Sequence, residues 1–449
     1  MPRLSNSLIL QAYNASELLP LVLRGARTLD LARNELRWLR EHVQNLKSSS
    51  SDQTHQRLLK LCQRRSRGEP LQYILGSQPF GELDIKCRPG VLIPRPETES
   101  YTTYLADLAN SNRLVRKAPK SECDDPRFKA LSPHLRILDL CSGSGCISLL
   151  LYSLLSTKFP KLRIFGLDIS KQAVSLAKYN LSRNVKAGHI PKLAIADTPS
   201  HPPQVQFGIA DILQSFPKNI GQFDIIISNP PYISRDEFNT QTTRSVRNYE
   251  PKLALVPIQK SQDVFYERLI RLHQVHLSQV LAMEVGDAAQ AIRVAEMAFE
   301  MNNTSYQHTP RVTNRVEIWR DDPGQDAAEE VRVVAGKEIR FRGRGKIRAV
   351  VLFREETDRN SVYQAILNKN VVERLDEPDV VQVSKKEFVK GRRAEARIRR
   401  KKARHEKINS DQRKRRLGLL TDDDLERLKE NTKTPGKLIP GRFGRSSWA

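Results

Sequence analysis

The chain is poor in cysteine: Cys62, Cys87, Cys123, Cys141 and Cys146 are five in 449 residues, an odd number with no Cys-x-x-Cys pair. That excludes a disulfide-stapled scaffold and a zinc site built from paired thiolates, and it fits a reducing compartment. No apolar run approaches the ~20 residues that a membrane-spanning helix needs, and no internal repeat is visible. Acidic residues are also scarce, 51 Asp and Glu against 75 Lys and Arg, leaving a formal charge of +24. Such an excess favours polyanionic surroundings, RNA above all, or reflects a generally basic compartment; it says nothing about fold. Apolar residues are 39% of the total, low for a chain packed along its whole length. The length still suffices for two or three domains with a substantial core.

The opening residues, MPRLSNSLILQAYNAS, hold one Arg, several hydroxyl or amide side chains and no acid, the composition of a transit peptide. From Leu18 to Leu46, Leu29, Ala32, Leu36, Leu39, Val43 and Leu46 step by three and four, which predicts an amphipathic helix. Leu58, Leu59 and Leu61 continue the pattern before the turn-forming RRSRGEP. Residues 1–80 therefore read as a small helical N-terminal domain that scaffolds or grips a substrate. Residues 81–99 read as a linker or hairpin ending in VLIPRPETE, where Pro94 and Pro96 hold the residues before them extended.

Residues 100–354 read as an α/β domain. Strands are expected at Leu135–Leu140, Arg163–Asp168, Val205–Ile209, Phe223–Ser228 and Val280–Glu284, with helices at Cys146–Leu155 and Lys171–Asn180. Near-continuous apolar strands alternating with helices predict a mostly parallel sheet covered on both faces. Two later runs, Arg315–Trp319 and Ile347–Phe353, predict an antiparallel hairpin at the sheet's edge, joined by a long polar insertion. Residues 355–449 differ in character: Lys385–Arg416 holds 16 Lys and Arg against 4 Asp and Glu. So few apolar side chains cannot fold alone, and the segment reads as a basic, disordered or solvated arm, either solubilising or contacting RNA or the ribosome.

The chemistry gathers at strand ends. In DLCSGSGC, Gly143 and Gly145 free the backbone for close approach of a ligand just before a helix N-terminus, with Asp139 ahead of them and Cys141 where a first glycine would stand. Asp168 ends the second strand, where a carboxylate can accept both ribose hydroxyls of a nucleoside cofactor, and Asp211 follows the third, beside an adenine. Three strand-end acids without a phosphate-binding Lys-Ser/Thr pair point to S-adenosyl-L-methionine. At the end of the fourth strand, FDIIISNPPYIS offers Asn229, Pro230, Pro231 and Tyr232. The Asn229 side-chain carbonyl and the Pro230 backbone carbonyl can each accept one N–H of a planar NH₂ group, and Tyr232 can stack on it. Adenine, guanine and glutamine all carry such a nitrogen, so this corner does not choose among them.

GEPLQYILG, LIPRPETE, DLCSGSGCI, GLDIS, SNPPYI, YEPKLAL and MEVG together resemble the HemK-type family of glutamine methyltransferases that modify peptide-chain release factors. The resemblance runs from about Leu21 to Phe353. It implies a Rossmann-like class I methyltransferase sheet and transfer from S-adenosyl-L-methionine to the glutamine of a Gly-Gly-Gln loop. Asn229, Pro230 and Tyr232 would grip the amide, while Arg95, Pro96, Glu97 and Thr98 would line the mouth shared by cofactor and substrate. A role in translation termination, with the transit-like start, implies mitochondria, the cytoplasm being the alternative. Two rival readings stand beside it: an N6-adenine methyltransferase extruding its base into the same corner, and a ribosome-associated protein with an inactive methylase fold. No metal site is expected.

Overall fold

Leucines and alanines three and four apart bury one stripe along each N-terminal helix: α1 (Asn6–Ala15), α2 (Leu19–Ala26), α3 (Leu29–Asn45) and α4 (Ser51–Ser66). In the computed structural model, which describes residues 3–46, 51–114, 134–198, 202–214, 221–259, 261–303, 312–325 and 330–356, these helices share one core around Val22, Leu23, Leu36, Leu39 and Cys62. Cys123 and the basic segment Lys385–Arg416 lie outside the described residues. The helix expected from Leu18 to Leu46 is broken in two. Arg27 adopts φ 75°, its N–H closing on the Leu23 carbonyl, and Thr28 starts the next helix by accepting the Leu31 N–H. Leu46 falls past the end of α3 and is exposed. The transit-like start joins the same core: Ala12 is fully buried, with Leu4 and Leu8 packed against the cluster. A buried ion pair, Arg65 to Glu35 at 2.6 and 3.0 Å, ties α4 to α3.

The short α5 (Leu71–Leu75) leads into a hairpin of β1 (Ser77–Phe80) and β2 (Leu83–Lys86). The expected linker is thus an ordered arm. The side chains of Asn180 and Asn184 accept the N–H groups of Lys86 and Asp84 at 2.8 and 3.0 Å, pinning β2 to the α/β domain. From there the chain turns into α6 (Pro96–Asn110), with Pro96 in the first turn, where its missing N–H costs nothing.

The α/β domain follows as β3 (Arg136–Leu140), α7 (Cys146–Leu155), β4 (Arg163–Asp168), α8 (Lys171–Ala187), β5 (Val205–Ile209), β6 (Ile225–Ser228), α9 (Arg235–Thr240), α10 (Arg244–Tyr249), α11 (Val264–Val275), β7 (Val280–Glu284) and α12 (Ala288–Asn303). It closes with β8 (Val312–Asp322), β9 (Glu330–Val334), β10 (Lys337–Arg342) and β11 (Arg344–Glu356). Among the described residues the strand order is β5-β4-β3-β6-β7-β11-β8-β10-β9, parallel from β5 to β7. This is the mostly parallel, doubly covered sheet that the alternation of strands and helices predicts. Side-chain alternation divides it cleanly: Ile225 and Ile227 face α6 and α7, while Ile226 faces α11 and α12. Gly188 at φ 83° ends α8 about two turns later than expected from the apolar spacing.

The late hairpin is real but is not the edge. β11 runs antiparallel to β8, Val350 opposite Ile318, and also antiparallel to β7. The polar insertion adds β10, parallel to β8, and β9 beyond it. Two inward side chains, Ile339 and Phe341, suffice to recruit this segment, helped by Arg342 bonding the buried Glu317 at 3.0 Å.

Candidate active site

All five parallel strands end at one edge, and the loops leaving β3, β4, β5 and β6 wall a cavity of about 140 Å³ there. Cys141 takes φ 61° and Gly143 φ 54°, folding the turn after β3 back on itself. Asp168 at the end of β4 locks this turn in place, accepting the Gly143 N–H at 2.9 Å with one oxygen and the Ser170 N–H at 2.8 Å with the other. Burial pushes its carboxyl up, opposed by those two bonds. Asp211 also lines the cavity and holds the Leu213 N–H at 3.0 Å.

These residues fit S-adenosyl-L-methionine. Asp168 lines the cavity, and each of its oxygens, having accepted one N–H, keeps a second lone pair with which a ribose diol could be held. The Ser142 hydroxyl lines the cavity too, buried and without a partner, so a polar ligand group can satisfy it. Ile169, Ala210, Ile212 and Phe265 supply the apolar walls a purine needs. Among the described residues no group of three or more His, Cys, Asp or Glu comes together to hold a metal ion.

Asp139 behaves otherwise than expected. It is fully buried beneath the turn, accepting the N–H and hydroxyl of Ser148 at 3.2 and 2.6 Å, and so steadies the first turn of α7 rather than reaching the cavity. Gly145 likewise serves packing, since a Cβ there would lie 2.9 Å from both Ala177 and Phe207.

On the opposite wall Asn229 and Pro231 face the cavity, whereas Pro230 and Tyr232 are not part of its lining. The Asn229 Nδ2 donates to Glu284 Oε2 at 2.8 Å, which turns its carbonyl away from the carboxylate. Tyr232 points its hydroxyl to Glu284 Oε1 at 3.1 Å. Of the LIPRPETE residues, Arg95 and Thr98 line the cavity; Pro96 begins α6, and Glu97 is drawn off to Arg348 at 3.3 Å. Arg95 is clasped by Glu250 at 2.7 Å, and the same carboxylate accepts the Ile93 N–H at 3.3 Å, so the YEP and LIPRPETE segments are tied across the mouth.

Two carboxylates at this site escaped the sequence reading: Glu250 and Glu284. The signal for Glu284 was present, a charged residue closing the otherwise apolar strand VLAME. In the segment QDVFYERL, Phe265 reaches the cavity, and buried Tyr266 donates its hydroxyl to the Glu284 backbone carbonyl at 2.9 Å.

Comparison with known proteins matches the same architecture. The PrmC N-terminal domain family matches residues 22–76, and the Eco57I restriction-modification methylase family matches residues 163–280. A Schizosaccharomyces pombe protein described as a probable mitochondrial N(5)-glutamine methyltransferase of MRF1 is 33% identical over 330 residues, covering 71% of this chain and 91% of that one. The mitochondrial MRF1 N(5)-glutamine methyltransferase of Saccharomyces cerevisiae is 36% identical over 258 residues, covering 57% of this chain and 68% of its own length. A release factor glutamine methyltransferase of Haemophilus influenzae is 36% identical over 207 residues, 44% of this chain and 57% of that one. The methylase match covers β4, β5 and β6 of the sheet, and the N-terminal match lies in the helical region that precedes it. With near-complete coverage of the fission-yeast relative, this chain belongs to the HemK-type family of release-factor glutamine methyltransferases.

Proposed function

We propose that the chain methylates the side-chain nitrogen of the glutamine in the Gly-Gly-Gln motif of a peptide-chain release factor, using S-adenosyl-L-methionine, and that it works in mitochondria. The observation that carries this reading is the Asn229 side chain, which lines the cavity opposite Asp168 with its NH₂ committed to Glu284. Its carbonyl is thereby free to accept an N–H from a planar amide. An amide nitrogen is a weak nucleophile because its lone pair is delocalised, so orientation must do much of the work, with proximity worth roughly 7–11 kcal/mol in favourable cases. The cofactor supplies, when bound, a methyl group activated on a sulfonium.

Asp168, Asp211 and Ser142 would hold the cofactor; Asn229 would orient the amide; Arg95, Thr98 and Pro231 would border its path. The Arg95–Glu250 clasp fixes the entrance to that path. The mitochondrial part is supported by the two fungal relatives. The basic segment Lys385–Arg416 would bring the enzyme to RNA or the ribosome through counterion release from phosphates.

The test is methyl transfer by the full chain to three acceptors: a release-factor domain, the same domain with its motif Gln→Ala, and a DNA duplex. Transfer to the first alone is expected. Transfer to the duplex, or undiminished transfer to the Gln→Ala domain, would sink the reading. A fluorescent fusion of the full chain that stays out of mitochondria would sink the localisation.

A further inference from the structure

Glu284 is the side chain that three site residues share. Strand β7 is apolar until this last residue, which is 3% exposed. Oε2 accepts the Thr98 hydroxyl at 2.6 Å and the Asn229 Nδ2 at 2.8 Å; Oε1 accepts the Tyr232 hydroxyl at 3.1 Å. These donors come from α6 and from the corner after β6, so the carboxylate is the knot that holds two walls of the cavity to the sheet.

We propose that Glu284 is a positioning residue that fixes which end of the Asn229 amide meets the substrate, and so selects an acceptor nitrogen that carries N–H bonds. The inference rests on the reading of Asn229 as the acceptor for a substrate amide.

Burial pushes the Glu284 carboxyl up, opposed by the hydroxyls of Thr98 and Tyr232, and both of its oxygens are used as acceptors, by Thr98, Asn229 and Tyr232. Asn229 must therefore turn its NH₂ toward Glu284, leaving Oδ1 on the other side. The reversed amide would set two oxygens against each other at about the present 2.8 Å spacing and leave a buried acceptor unmatched. Thr98 strengthens the bias: its hydroxyl hydrogen is committed to Glu284, so its oxygen is left to accept, and it lies 3.4 Å from the Asn229 Nδ2. Two acceptors on one side of a primary amide define the orientation before any substrate arrives. Pre-setting it removes an entropic cost from the binding step. It also gives selectivity, because the cavity then offers an oxygen to an incoming NH₂ and repels an incoming carboxylate or carbonyl. A substrate Gln→Glu would meet oxygen with oxygen.

The structure of this knot separates positioning from simple packing. Glu284→Gln has the same shape, but its new NH₂ can donate to the Asn229 carbonyl, permitting the reversed amide. The paired exchange, Glu284→Gln with Asn229→Asp, moves the carboxylate one partner along: the amide at position 284 donates to one oxygen at position 229, and the other oxygen again faces the cavity as an acceptor.

The experiment uses the full chain, saturating S-adenosyl-L-methionine and a release-factor domain. Glu284→Gln is expected to lower kcat by roughly 10²-fold, the scale on which single oriented polar contacts act in catalysis. Affinity for S-adenosylhomocysteine should be unchanged. The paired exchange should recover about tenfold over Glu284→Gln, whereas a Glu284 that acts independently of Asn229 makes the two losses add. Asparagine-selective nitrogen-15 labelling supplies a readout without turnover: the Asn229 side-chain amide signals should move in Glu284→Gln. An unchanged kcat in Glu284→Gln, or additive losses in the pair, overturns the proposal while the functional reading stands. A wild-type chain inactive on the release-factor domain overturns both.

Discussion

Two side chains on facing walls divide the labour at the site, and substitution should separate them. Asn229→Ala removes an acceptor aimed at the substrate and leaves the turn around Asp168 intact. We expect kcat to fall by roughly 10²–10³-fold, with S-adenosylhomocysteine affinity retained. Asp168→Ala removes a carboxylate that holds the Gly143 and Ser170 N–H groups and faces the cavity. Charged hydrogen bonds are worth about 1.5–3 kcal/mol each, so cofactor affinity should drop by roughly 10- to 100-fold. Calorimetric titration beside initial rates distinguishes the two. Equal loss of cofactor affinity in both variants would contradict the assignment. A third residue tests whether the buried acid under the turn is structural. Burial pushes the Asp139 carboxyl up to about 7, opposed by the two Ser148 bonds and aided by the charge of Asp168. Its unfolded value is near 4. The native state thus holds the proton more tightly, and the stability this provides is complete below pH ~4 and lost as pH rises toward 7. Asp139→Asn lacks that loss. Its melting temperature minus that of the wild type should increase from pH 4.5 to 8, and a flat or falling difference would show that Asp139 is not the titrating group.

At the level of elements, the turn after β3 has its glycines for two different reasons. Gly143 has φ 54°, and a Cβ there would meet only the Cys141 carbonyl at 3.9 Å, so its left-handed backbone is its constraint. Gly145 has φ 81°, and a Cβ there would press on α8 and on Phe207 of β5. Gly145→Ala should therefore destabilise the fold by about 1–3 kcal/mol through overpacking and left-handed strain, read as a lower urea midpoint. An unchanged midpoint would mean that α7 and α8 separate more easily than the packing implies. Much of the arrangement was legible because strand chemistry is local: Arg163–Asp168, Val205–Ile209 and Val280–Glu284 are bounded by residues that stop an apolar run. The break between α2 and α3 was not legible, since Arg27 carries no sign of a left-handed backbone and only the N-cap Thr28 hints at it. Strands β9 and β10 were hidden because, within a charged segment, just two of their side chains are buried and a third, Val334, only partly so. At the site, residues that meet a ligand were readable from strand ends. The strand-end signal at Glu284 did not reveal what it holds, and Glu250 left no signal, because their partners lie 52 to 186 positions away in sequence.

For the molecule as a whole, the question is how much of the chain the chemistry needs. The sheet closes on β11: Phe353 is 4% exposed, and Arg354 donates to the Ser278 and His273 carbonyls at 2.9 and 2.8 Å. No described helix is long and apolar enough to cross a membrane. Every residue assigned here to the cavity lies before β8, and the last strand contributes Arg348, which holds Glu97 and Asp321. Basic residues, by contrast, are densest in Lys385–Arg416. A chain ending at residue 356 should therefore methylate an isolated release-factor domain at the full-length rate, because neither the clasp at the mouth nor the Glu284 knot is touched. The same truncation should lose RNA retention whose logarithm falls with log salt by roughly 0.7 per phosphate contact on a single strand. Filter binding across a salt series, run beside the transfer assay, reads both. Loss of transfer to the isolated domain would place part of the catalytic or substrate-gripping machinery beyond β11, and RNA retention that survives truncation would move the polyanion site onto the folded enzyme.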